Sequence, residues 1–260
     1  MRQKFVVGNW KMNTTTAEAK YLAKAIVDGV RIEDSLSIVI CPPYPYLALV
    51  GEILKDSSVI LGAQNLFPAS EGAFTGEVSP TMLLDLGCKY VLLGHSERRN
   101  ELRETDAFIN KKVLVAIAAG LNVILCVGET LSERNAMQTE IVLDRQLLHG
   151  LAGLSSIALS RLSIAYEPVW AIGGLGHHAT PEQAQETQAI IRHRIGKMFG
   201  EQSAQALRIY YGGSVNPENA GAFLSREGID GVLVGTDSLN ADQFLAIVQV
   251  GIRVSQTQED

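Results

Sequence analysis

The sequence predicts a single α/β domain built as a closed (β/α)8 barrel, and three observations lead there. Eight short runs rich in Val, Ile and Leu recur along 260 residues, each followed by a longer segment with helical spacing. The runs are near-continuously apolar, as strands buried on both faces of a parallel sheet must be. A repeat of about 31 residues matches one strand plus a helical crossover, and right-handed crossovers repeated eight times close on themselves. An open doubly wound sheet is the rival, but no GxGxxG follows the first run and no composition shift marks a linker.

In order, the runs are Phe5–Asn9, Leu36–Ile40, Val59–Ala63, Tyr90–Leu93, Val123–Val127, Leu162–Glu167, Arg208–Tyr211 and Gly231–Val234. Between them stand helix-start signals: Ser79-Pro80, Asn216-Pro217-Glu218, and Thr180-Pro181-Glu182-Gln183, which reads as a capping box. Gly29, Gly87, Gly120, Gly200 and Gly228 fall where helices should stop. The barrel is expected over residues 1–254, with 255–260 a polar, frayed tail.

Composition excludes several functions. A net charge of −6 and the absence of a large Lys/Arg cluster argue against nucleic-acid binding. No apolar run approaches the ~18 residues of a membrane span, and Met1–Val7 lacks the apolar core of a signal peptide. Cys41, Cys88 and Cys126 are widely spaced and odd in number, which suits reduced thiols in the cytoplasm. His177-His178 is a pair with no third ligand near in sequence, so no metal site is expected. Neither a P-loop nor HExxH is present, and no cofactor is expected.

In a barrel of this kind, function sits in the loops after the strands. Polar residues gather there: Asn9-Trp10-Lys11, Gln64-Asn65, His95-Ser96-Glu97, Gly128-Glu129, Glu167-Pro168, Gly212-Gly213-Ser214 and Gly235-Thr236-Asp237-Ser238. Glu167, at a strand end and before a glycine-bearing loop, suits a general base under a lid. His95 stands where a short helix begins, a setting that favours neutral imidazole and a role as carbonyl-polarising donor. Lys11 offers the cation that an anionic intermediate needs, with the Asn9 amide beside it.

Several longer motifs resemble the triosephosphate isomerase family. They are Gly8-Asn9-Trp10-Lys11-Met12-Asn13, Gly62-Ala63-Gln64-Asn65, Gly72-Ala73-Phe74-Thr75-Gly76-Glu77, Tyr90 to Arg99, Leu125-Cys126-Val127-Gly128-Glu129-Thr130, and Ala165 to Gly173, all in the family's order. The resemblance implies a TIM barrel and a cofactor-free aldose–ketose isomerase of glycolysis and gluconeogenesis. In this family a glutamate base, a neutral imidazole and a closing lid are standard examples of acid–base tuning and gating. It implies Glu167, His95, Lys11 and Asn9 as catalytic residues, with Glu97 holding Lys11. It further implies Gly173, Ser214, Gly235 and Thr236 as binders of the substrate phosphate, and Cys126 as a packed thiol behind the base. The partner set implied is a phosphorylated sugar and a second copy of the chain, reached through the 64–82 loop, with Thr75 entering the neighbouring site.

Two segments depart from the family pattern. The lid, Ala171 to Ala179, is one residue longer than usual, and the usual Gly-Gly-Ala-Ser after the last strand reads Gly235-Thr236-Asp237-Ser238. Asp237 is expected to cap the short helix that follows and face solvent. The competing expectation is a phosphate end altered for a longer ketose, such as a tetrulose phosphate. A third reading is a barrel that binds phosphorylated ligands without turnover.

Overall fold

The computed structural model describes residues 2–30, 36–173 and 178–257. Its centre is a closed parallel barrel with strands in sequence order. They are β1 Lys4–Asn9, β2 Leu36–Cys41, β3 Val59–Ala63, β4 Tyr90–Leu93, β5 Asn122–Val127, β6 Leu162–Tyr166, β7 Arg208–Tyr211 and β8 Gly231–Val234. Every expected run is a strand, and no boundary moves by more than one residue. The ring is sealed where β1 pairs with β8, Gly8 opposite Val234. At that seam Gly231 has no alternative, because a Cβ there would sit 2.4 Å from the Phe5 carbonyl oxygen.

Alternation along each strand explains the unbroken apolar runs. Phe5, Val7, Val39, Leu92, Ile124, Ala165, Tyr210 and Leu233 point into the barrel and pack on one another. Their neighbours Val6, Ile38, Ile40, Val91, Leu125, Ile164, Ile209 and Val232 point outward and pack against the helices. Both faces are dry, so both sets must be apolar. Phe5 stacks on Tyr210 at 5.4 Å and meets the edge of Tyr90 at 5.9 Å, filling the end of the barrel where the strands begin.

Asp230 and Lys4 at that end are held by several partners each. Asp230 accepts from Arg2 at 2.7 Å, from Arg192 at 2.9 Å and from the Ile209 N–H at 2.9 Å. The Lys4 ammonium donates to the carbonyls of Leu224 and Ile229 at 3.0 and 2.6 Å, and burial lowers its pKa. These contacts are structural, and they contrast with the opposite end described below.

Helix starts follow their sequence signals. Ser79 accepts from the Met82 N–H at 3.2 Å, and Thr180 with Gln183 completes a capping box for the helix Pro181–Phe199. Asn216 and Asn219 exchange side-chain-to-amide bonds at 2.9 Å, setting the turn that leads into Ala220–Leu224. The expected 255–260 tail starts too early. The last helix is Ala241–Thr257, and Ser255 is buried with its hydroxyl donating to the Gly251 carbonyl at 3.0 Å. A serine bonded four residues back stays in a helix despite its polarity. Among the described residues, no helix is long and apolar enough to cross a membrane.

Candidate active site

At the C-terminal ends of the strands lies a cavity of about 370 Å³, lined by Asn9, Lys11, His95, Glu167, Gly173, and the loops 212–215 and 235–237. It brings together every residue expected there except Glu97, which reaches the site through Lys11.

Glu167 follows β6 and is held tightly. Its N–H donates to the Val127 carbonyl at 2.8 Å. Its own carbonyl lies against Gly128 so closely that a Cβ there would stand 1.8 Å from the oxygen. The side chain is 2% exposed. One carboxylate oxygen, Oε2, accepts from the Ser96 N–H at 2.8 Å. The other, Oε1, lies 3.0 Å from His95 Nε2 but out of hydrogen-bond alignment, and is a buried acceptor without a donor. An unsatisfied buried oxygen is costly unless it has work to do. Gly128→Ala should push the Glu167 backbone aside and lower kcat by about 10²-fold, the usual effect of a ~1 Å misplacement. Steady-state kinetics with a melting curve as the folding control would measure it.

His95 is the residue before the helix Ser96–Asn100, and its Nδ1 accepts the Glu97 N–H at 3.3 Å. An Nδ1 that accepts carries no proton, so the single ring proton is on Nε2, at the cavity. The Glu97 carboxylate is 3.5 Å from the same Nδ1, which therefore has no proton to offer it. This one backbone bond thus selects the tautomer that points the ring proton into the cavity.

Lys11 adopts a left-handed backbone, φ 53°. The Asn9 side-chain oxygen accepts its N–H at 3.1 Å, and Gln64 donates to its carbonyl at 2.9 Å while also holding the Cys41 carbonyl at 2.9 Å. A strained backbone persists where its surroundings over-determine it. The ammonium lies 2.5 Å from Glu97 Oε1, as expected.

The far end of the cavity carries Gly173, Gly213, Ser214, Gly235, Thr236 and Asp237. Two expectations change here. The Ser214 N–H already donates to the Ala171 carbonyl at 2.9 Å, which leaves the hydroxyl as the group free to meet a ligand. Asp237 is not a cap. It stands in the first turn of the short 3-10 helix Thr236–Leu239, which has no side-chain cap, and the final helix is capped by Asn240 accepting from the Gln243 N–H at 3.1 Å. Asp237 instead lines the cavity, half-buried; burial first, and then the charge of Glu218, raises its pKa. The lid residues 174–177, His177 included, lie outside the described residues, and His178 is exposed.

A model of the triosephosphate isomerase family matches residues 4–251. The chain belongs to the triosephosphate isomerase family. It is 49% identical to a triosephosphate isomerase of Carboxydothermus hydrogenoformans, over 97% of this chain and all of that one. Similar proteins of the same name occur in Rhodopirellula baltica, at 48% over 95% of this chain and 97% of the relative, and in Dictyoglomus thermophilum, at 47% over 96% and 100%.

Three features of this family member escaped the sequence reading. Glu129 is fully buried, and one oxygen accepts from Trp170 at 2.9 Å, Arg134 at 3.0 Å and Tyr166 at 3.1 Å. Arg134 also lies over the Trp170 ring at 4.4 Å. This cluster fastens the 3-10 turn Val169–Ala171, where the lid begins, to the ends of β5 and β6. Its only signal was a glutamate at a strand end. Gln64 was visible as a strand-end polar residue, but not as the clasp of Lys11. Asn65, beside it, turns away from the cavity and accepts from the buried Lys112 at 2.9 Å. Cys126 packs beneath Glu167; burial first, then the Glu167 charge, holds its thiol pKa well above the ordinary value.

Proposed function

We propose that this chain interconverts dihydroxyacetone phosphate and D-glyceraldehyde 3-phosphate by moving one proton between adjacent carbons. The observation that carries this reading is the Glu167 carboxylate, buried with one unpartnered oxygen 3.0 Å from the His95 Nε2. Glu167 takes the proton from the carbon beside the carbonyl. Electrons move into the carbonyl and leave an enediolate. The His95 Nε2–H and the Lys11 ammonium stabilise its oxygens, the hydroxyl proton passes from one oxygen to the other through the His95 Nε2 that faces the cavity, and Glu167 returns the carbon-bound proton to the neighbouring carbon. General-base action of this kind contributes about 10²–10⁴-fold, and each preorganised donor at the oxyanion about 10²–10³-fold. No electrons leave the substrate, so the reaction as written balances without a cofactor.

The family's membership supports the triose as substrate, and the longer ketose has no observation of its own in its favour. A coupled assay of isomerisation should give kcat/KM for glyceraldehyde 3-phosphate at least about 10²-fold above that for a tetrulose phosphate, the scale at which a pocket rejects a larger ligand. Equal values would overturn triose specificity, and absence of turnover would leave only a binding barrel.

The working unit in this reading is a cytoplasmic homodimer. Three buried free thiols suit a reducing compartment. The connection after β3 carries exposed Thr75 and Phe74, and Met12, beside Lys11, is 95% exposed. Exposed apolar side chains next to an active site suit coverage by a second copy. Thr75→Arg should convert the dimer to a monomer by light scattering and lower activity by about tenfold or more. A variant that stays dimeric would count against this role for the loop.

A further inference from the structure

The cavity's phosphate end holds a carboxylate where the family pattern has alanine. Asp237 lines the same wall as Gly213, Ser214, Gly235 and Thr236. We propose that Asp237 links a proton to ligand binding: the phosphate end accepts a dianion readily when the Asp237 carboxyl is protonated and poorly when it is ionised. The proposal deepens the isomerase reading, since it rests on this end of the cavity receiving the substrate phosphate.

The local charges leave little else to balance a dianion. Lys11 comes from the end of β1, but its ammonium is already paired with Glu97 at 2.5 Å. The loop after β7 brings Glu218, whose charge is felt at Asp237. The first turn of the final helix carries Asp242. Across the cavity stand His95 and the Glu167 carboxylate, 3.0 Å apart. Among the described residues, no arginine lines this cavity. Binding therefore relies on backbone N–H groups and hydroxyls, which an adjacent carboxylate would oppose. As the acid, the same side chain becomes an O–H donor to a phosphate oxygen.

The direction of the pH effect follows. Burial and Glu218 already raise the Asp237 pKa in the free protein. A bound dianion raises it further, because like charge disfavours ionisation. Between the free and bound pKa values, binding takes up a proton. The Kd rises with pH across that window, and above the bound value, where the carboxylate stays ionised against the phosphate, it levels off at its weak limit.

Glycerol 3-phosphate carries the same phosphate end and has no carbonyl, so it reports binding without turnover. Calorimetric titration of the whole protein, in two buffers of different ionisation enthalpy, gives both Kd and protons taken up. The ligand's own second ionisation, near pH 6, is common to every variant and cancels in a ratio. The Kd of the wild type over that of Asp237→Asn should be smallest at the acid limit, pH 5, and climb to about tenfold or more by pH 8, one pKa unit of coupling being a factor of ten. The wild type should take up more protons than the variant between those limits, and Asp237→Ala should repeat the pattern. A ratio that stays flat or falls, equal proton uptake, or no binding by either protein overturns the proposal. Should a variant fail to fold, wild-type uptake beyond the ligand's own ionisation decides it. Loss of turnover on glyceraldehyde 3-phosphate with this linkage intact would instead sink the isomerase reading alone.

Discussion

Replacing Glu167 by Gln should lower kcat by about 10³-fold or more, within the range general-base catalysis supplies. The substitution is nearly isosteric, so it isolates chemistry from packing. A glutamine carbonyl can still accept the Ser96 N–H that Oε2 accepts at 2.8 Å, and the backbone contacts to Val127 and Gly128 do not involve the side chain. What disappears is the basic oxygen at Oε1, which has no donor of its own. Glu167→Asp makes the complementary test. It keeps the base but withdraws it by one methylene, and a misplacement of ~1 Å costs about 10²-fold. Gln should therefore be the worse variant. Glycerol 3-phosphate affinity, measured beside turnover, separates loss of the base from collapse of the site. A Gln variant within about tenfold of wild type would remove Glu167 from the role of base.

The sequence made the barrel and its working end legible for one physical reason. Strands buried on both faces must be apolar throughout, so a polar residue at a strand end stands out. Asn9, Lys11, His95 and Glu167 are each the first polar groups after such a run, and all four line the cavity. The Glu129 cluster was not legible, because its partners come from separate strand ends and loops and meet only through β-pairing. Gln64 faced a similar barrier: its clasp on Lys11 joins the ends of β3 and β1. Asp237 was misread because Asp before a helix usually caps it, whereas here a 3-10 turn intervenes and Asn240 takes that task. Ser214 was half right; the residue is in place, but its amide serves the lid's Ala171.

The two ends of the barrel use charge oppositely. At the start of the strands, Asp230 and Lys4 have their hydrogen-bonding capacity met by fixed partners, which serves stability. At the finish, Glu167 keeps an unpartnered oxygen and Lys11 is held by a glutamate that is itself half exposed. A ligand seated in the cavity would complete that pairing.

Lys11→Met is expected to lower kcat/KM by about 10³-fold or more. Loss of a single neutral oxyanion donor costs about 10²–10³-fold, and here a full charge is lost. Methionine retains most of the stem, and the left-handed backbone at φ 53° is clasped by Asn9 and Gln64 through main-chain atoms, so the turn should survive. Glu97 would be left unpaired, but its side chain is 50% exposed and water can solvate it. The stability change should therefore be small while the catalytic change is large. Lys11→Arg should not restore activity, because a planar, delocalised guanidinium cannot take the place of the compact ammonium that Glu97 holds at 2.5 Å. Glu97→Gln serves as the control: it keeps the Lys11 charge and removes only the carboxylate that steers it, so its loss of kcat/KM should be the smaller. Should Lys11→Met keep more than about a tenth of the wild-type kcat/KM, the His95 Nε2–H would be carrying the enediolate alone.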